Sequence, residues 1–340
     1  MKLYLEDWVR NKIRKPVIRH LEILPLWKCN ARCPTCGSYK RDGNIQLSWE
    51  QANSIIQCDK FRHLDKIVIE GGEPTLWEPL PIFIEESIKK WTQLKEIVII
   101  TNGLRVDLIA CISERLIKCK PTLRWSVSLN GMGKNHDESR GIEGAFQRTI
   151  ASIGYLINRG YEVRLSFAPF EKNYQDYGKV VEYAKQEFGI TDVGICYPTS
   201  STKFGENLVW PEMDTDTFNK FYEKYVIDKC KGGWKYACQY FHWHVKQRKL
   251  MPCWGAQTIV NILPSGEVSP CCFREDGIIG QVTDDRVEFY PEKRKKVIQG
   301  IKKGYCIYRN DRVCGDCHLV HTSRRQAFKL MWWKLFHWGN

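Results

Sequence analysis

The chain has 340 residues, enough for one large or two moderate domains around a substantial buried core. Residues 1–20 lack the apolar stretch of a secretion signal, and no apolar run is long enough to span a bilayer. The 15 cysteines therefore point to metal or packing roles in a reducing cytoplasm rather than to disulfides. The net charge of +13 comes from scattered lysines and arginines and marks no nucleic-acid surface, so no nucleic-acid partner is expected.

After an extension over 1–18, β-branched apolar segments at 19–26, 66–70, 96–101, 123–129, 161–168 and 192–197 read as strands. Helical patterns near 48–57, 79–93, 105–118, 144–159 and 174–188 alternate with them, the first opened by Ser48 and Glu50. Such alternation predicts an α/β fold with a parallel sheet, and six strands are too few for a complete eight-stranded barrel. In parallel α/β folds the working residues stand at the carboxyl ends of strands. That rule brings Cys29–Cys36, Gly71–Pro74, Thr101–Gly103 and Asn130 to one rim.

Cys29, Cys33 and Cys36 form a C-x3-C-x2-C pattern inside LWKCNARCPTCGSYK. Three soft thiolates select zinc or an iron–sulfur cluster, and in a four-iron cubane they leave one iron without a protein ligand. A structural zinc site with a distant fourth ligand is the commoner use of clustered cysteines, and spacing alone leaves the two readings even. Behind the cysteines come VIEGGEPTLW at 68–77, VIITNGL at 98–104, SVSLNG at 126–131 and HDESRG at 136–141. In this order, over about residues 19–200, these motifs resemble the radical S-adenosylmethionine (SAM) superfamily.

The resemblance implies a partial (βα)6 TIM-type barrel over 19–212, with a [4Fe–4S] cluster on Cys29, Cys33 and Cys36 and SAM on its open iron. It also implies that Gly71, Gly72 and Glu73, with Pro74 beside them, receive the methionine amino group. Thr101 and Asn102 would line the cofactor pocket, Ser128 and Asn130 would contact the ribose or the methionine carboxylate, and Arg140 would reach that carboxylate. Many relatives carry Asp where this chain has Asn130, which can still donate and accept hydrogen bonds.

Residues 213–250 read as a helical bridge, with Trp234, Ala237, Cys238, Phe241 and Val245 at helical spacing. His242 and His244 lie two apart on it, face different ways and make no joint metal site. Over 251–320, Cys253 and Cys271 flank a hairpin turned by Pro264, Ser265 and Gly266, and Cys314 and Cys317 add a close pair. Four thiolates saturate a second cubane; paired cysteines across a hairpin also suit a zinc ribbon. Beside the barrel motifs, the arrangement resembles the twitch or SPASM auxiliary-cluster domain, a small β-hairpin and helical unit, with Cys272 and Cys306 left over.

A fully ligated auxiliary cluster carries electrons rather than substrate. The resemblance thus implies hydrogen abstraction followed by removal of a second electron: oxidation of a small-molecule or sugar-like alcohol, with a flavodoxin- or ferredoxin-type electron donor. The alternatives are cross-linking or epimerisation of a ribosomally made peptide and, in another class, a non-catalytic zinc-binding module. Tyr197, Glu70 and Asp137 stand near predicted strand ends, and none is singled out as a base. The tail over 321–340 includes RRQAFKLMWWKLFHW at 324–338, whose tryptophans and lysines suit a lipid interface as well as burial.

Overall fold

The computed structural model describes residues 16–196, 255–270 and 277–303, together with Thr217, Lys220, Phe221, Lys224 and Tyr225. Tyr197, the rest of the 213–250 bridge, Cys253, Cys271, Cys272, Cys306, Cys314, Cys317 and the basic aromatic tail lie outside the described residues.

The six expected strands are β1 (His20–Ile23), β2 (Lys66–Ile69), β3 (Glu96–Thr101), β4 (Leu123–Ser128), β5 (Glu162–Phe167) and β6 (Val193–Ile195). All pair in parallel in chain order, giving the expected partial (βα)6 arrangement. Helices α1 (Trp49–Gln57), α2 (Leu80–Lys90) and α3 (Val106–Arg115) join the first four strands. A short helix that the hydrophobic pattern does not predict, α4 (Lys134–Arg140), precedes α5 (Ala145–Asn158), and α6 (Tyr177–Phe188) leads to β6. Ser48 starts α1 as expected, but its capping-box partner is Gln51, whose side chain accepts from the Ser48 amide.

Alternation along each strand sorts the side chains. Leu21, Ile23, Ile67, Ile69, Ile97, Ile99, Trp125, Val127, Leu165 and Phe167 form the core with Ile55, Phe83, Ile84, Ile109, Ile153 and Val180 from the helices. The residues between them face the other side and are polar on the later strands. There the Glu96 carboxylate takes Lys66 and Arg164, each at 2.8 Å, and Glu162 pairs with Arg164 at 2.7 Å and with Arg124.

The C-terminal hairpin joins this same sheet. β7 (Ile259–Ile262) lies parallel to β1 on the side away from β2, with Glu22 opposite Asn261. Antiparallel β8 (Glu267–Ser269), β9 (Gly280–Val282) and β10 (Val287–Phe289) follow, so ten strands run in the order β10-β9-β8-β7-β1-β2-β3-β4-β5-β6. The turn between β7 and β8 falls at Pro264–Gly266 as expected, with Gly266 at φ 80°. The basic helix α7 (Pro291–Lys303) closes the described part. Among the described residues no helix is long and apolar enough to cross a membrane.

Candidate active site

The carboxyl ends of β1 to β6 surround one cavity of about 280 Å³. Its wall includes Cys29, Cys33 and Cys36 from the loop after β1, Gly71 and Gly72 after β2, and Thr101 and Asn102 at the end of β3. Ser128, Asn130 and Arg140 line it as well. Residues spread over more than a hundred positions thus meet because parallel strands point their carboxyl ends the same way.

The cysteine loop is held from two sides by close backbone packing. A Cβ on Gly72 would lie 2.2 Å from the Lys28 carbonyl oxygen and 2.5 Å from that of Trp27. On the opposite flank Gly141, at φ 63°, would meet the Arg32 carbonyl oxygen at 2.4 Å, and the Arg32 amide donates to the Arg140 carbonyl at 2.7 Å. Side-chain and backbone donors reach the thiols as well. Arg140 Nη1 is 3.6 Å from Cys33 Sγ, Asn102 Nδ2 is 3.8 Å from Cys29 Sγ, and the Ala31 amide is 3.4 Å from Cys29 Sγ. Burial, with the Glu73 carboxylate adding to it, pushes the Cys29 thiol up to about 12, and burial also raises Cys36. The metal-free Cys29 and Cys36 thiols are therefore neutral, and a metal must displace their protons. Among the described residues no three Cys, His, Asp or Glu side chains gather closely enough to hold a single metal ion.

Glu73 and Pro74 are close to the cavity without lining it. Pro74 is buried at the start of a one-turn helix, and the Glu73 carboxylate is turned inward. Its Oε1 accepts from the Thr75 hydroxyl and the Thr101 hydroxyl, each at 2.7 Å, and from the Thr75 amide; its Oε2 accepts from the Asn102 amide at 2.8 Å. Burial raises its carboxyl above the ordinary range against these donors. Thr101 thereby has its hydroxyl proton committed to Glu73.

Asn130 accepts the Ala168 amide on Oδ1 at 3.0 Å, which leaves its Nδ2 to face a ligand as a donor. Arg140 is 7% exposed; its Nη2 donates to the Ser128 carbonyl at 2.8 Å, and its buried Nε has no partner among the described residues.

Asp137, one of the three unassigned base candidates, accepts the Gly144 and Phe146 amides at 2.9 and 2.7 Å and so caps the start of α5. Glu70 does line the cavity. So do Ala31, Thr35, Ile100, Ser166, Ala168 and Cys196, to which the resemblance gives no role. Ser166, Ala168 and Cys196 end the fifth and sixth predicted strands, and the carboxyl-end rule applied to those strands finds them.

A family model for the radical SAM superfamily matches residues 25–184. The chain carries a radical SAM domain. The family implies a [4Fe–4S] cluster and SAM. The Fe-coproporphyrin III synthase of Methanosarcina barkeri is 27% identical over 185 residues, covering 52% of this chain and 43% of that protein. The AdoMet-dependent heme synthase of Oleidesulfovibrio alaskensis is 24% identical over 329 residues, covering 85% of this chain and 79% of that one. In fold, the chain is similar to Streptococcus suis SuiB bound to S-adenosylmethionine, with a TM-score of 0.60 at 17% identity. That likeness covers 90% of this chain and 70% of SuiB.

The radical SAM domain's residues fit the implied group. The cavity wall joins three thiols, a buried guanidinium with one N–H unpartnered among the described residues, and an asparagine amide offered as a donor. That set suits an anionic cluster next to a ligand bearing a carboxylate and hydroxyls.

Proposed function

We propose that this chain is a radical SAM enzyme that removes a hydrogen atom from a small-molecule or sugar-like substrate and completes a two-electron oxidation. The observation that carries the reading is the cavity in which Cys29, Cys33 and Cys36 meet the rim residues of five other strands. When bound, the cluster and SAM would supply a 5′-deoxyadenosyl radical, and an auxiliary cluster would supply an acceptor for the second electron. Cys29, Cys33 and Cys36 hold the first cluster. The backbone at Gly71 and Gly72 receives the methionine ammonium, while Glu73 acts from behind by holding Thr101 and Asn102. Asn130 and Ser128 face the ribose or the carboxylate, and Arg140 neutralises negative charge beside Cys33.

In this reading Cys253, Cys271, Cys314 and Cys317 would hold the auxiliary cluster, and a flavodoxin- or ferredoxin-type donor would deliver electrons. The alternative of another class is a non-catalytic zinc-binding module. A second reading, modification of a peptide, is supported by the fold shared with SuiB, which has also been solved with its precursor peptide SuiA.

Anaerobically reconstituted protein is expected to be brown and to bind about eight irons per chain, against about four in Cys314→Ala. The variant is expected to cleave SAM while making little oxidised product. A colourless protein holding only zinc overturns the radical reading, and full product formation by Cys314→Ala overturns the electron relay. Deuterium transfer from candidate alcohols or peptides into 5′-deoxyadenosine decides between the two substrate classes.

A further inference from the structure

His136 opens the HDESRG motif but does not line the cavity; it is fully buried behind it. Its Nδ1 lies 3.0 Å from the backbone nitrogen of Asn130, which can only donate. The ring proton therefore sits on Nε2, 3.2 Å from the Thr149 hydroxyl oxygen. Thr149 in turn gives its own proton to the Asn102 carbonyl at 3.0 Å. Each bond in this chain has one allowed direction, and a protonated ring would set two donors against each other at Asn130. Burial, helped by the Arg140 charge, pushes the His136 pKa down to about 2, so the ring stays neutral.

The chain of bonds runs from the loop after β4 to the loop after β3 through side chains on α4 and α5. Its two ends are the backbones of Asn102 and Asn130, whose side chains both line the cavity. Asparagine or glutamine could supply one of the two ring contacts; only a neutral imidazole supplies an acceptor and a donor on opposite edges of one rigid plane.

We propose that His136 is a positioning residue that acts through Thr149 to fix the spacing between the Asn102 and Asn130 rims, and so sets the affinity of the cavity for SAM. The role rests on reading that cavity as the SAM site. It separates the work of the motif: His136 spaces the rim, Asp137 caps α5, Arg140 meets Cys33, and Gly141 admits the Arg32 backbone.

The test uses the full chain, reconstituted anaerobically, as wild type, T149V, H136N and H136F. Iron content, Tm and the SAM dissociation constant are measured, the last from the SAM-induced change in the electron paramagnetic resonance signal of the reduced cluster. T149V preserves shape and removes the link to Asn102. H136N keeps an acceptor for the Asn130 amide and loses the link to Thr149. Both are expected to hold wild-type iron and to bind SAM about tenfold more weakly, the effect of one lost buried hydrogen bond. H136F, lacking both contacts, is expected to bind more weakly still, and T149V carries the test where H136F does not fold. Wild-type SAM affinity in T149V overturns the role, as does a loss of affinity that only follows a loss of iron. Wild-type protein that holds no four-iron cluster overturns the reading of the cavity and this role with it.

Discussion

Glu73, in the loop after β2, and Glu96, on β3, show how two carboxylates come to opposite electrostatic ends. Glu73 is enclosed, 1% exposed, and answered only by neutral donors, so desolvation dominates and its carboxyl rises. Burial also acts to raise Glu96, but the Lys66 ammonium and the Arg164 guanidinium outweigh it and hold that carboxyl below the usual range. A carboxyl depressed in the folded state contributes stability above its unfolded pKa and loses it as the pH falls through the folded value. Glu96→Gln is thus expected to lower Tm at pH 7, with the difference from wild type closing as the pH drops below about 4.3, the ordinary glutamate value. Thermal melts of both proteins across that range check it; a gap that persists at low pH would assign the effect to packing. In the sequence Glu96 opens a β-branched run and Glu73 follows one, and neither position tells its protonation. Their difference lies in which side chains from other strands reach them.

The elements themselves were largely legible, because period-two alternation marks strands and the apolar face of each long helix follows its own period. The helix α4 escaped because KNHDESR has no apolar face to read. Its ends are set instead by Gly133 and Gly141, and Asp137 ties it to the start of α5. The join between β2 and the cysteine loop is the tightest of these local fits. In Gly72→Ala the new methyl meets two backbone carbonyls that cannot rotate away, so the loop must move from the strand end. The expected cost is about 1–3 kcal/mol of stability, together with a fall in iron retained after reconstitution. Iron assay and thermal melting measure both. Wild-type iron in a destabilised variant would show that the loop tolerates the shift.

At the scale of the whole molecule, the hairpin between Cys253 and Cys271 is part of the barrel sheet, since β7 pairs with β1 across more than two hundred residues. Asn261 Nδ2 donates to the buried Glu22 carboxylate at 2.7 Å, directly across that pairing. Asn261→Ala removes this donor and is expected to cost about 1–3 kcal/mol. The cost should appear as an equal loss of amide-exchange protection in β8 and in β4, as in one cooperative unit. Loss confined to β8 and β9 would instead mark the hairpin as a separately opening unit.

The sequence by itself determined the order of the six barrel strands and five long helices, the rim on which the motifs converge and the soft-ligand chemistry of Cys29, Cys33 and Cys36. Each of these is written in residues close together or in a repeating period. Tertiary structure alone decided that Glu73 faces inward, that Asn130 presents its amide as a donor, that His136 braces two loops, and that β7 lies on β1. These features depend on contacts between residues far apart in the chain, where a side chain's direction follows from the partner it meets and not from its neighbours in sequence.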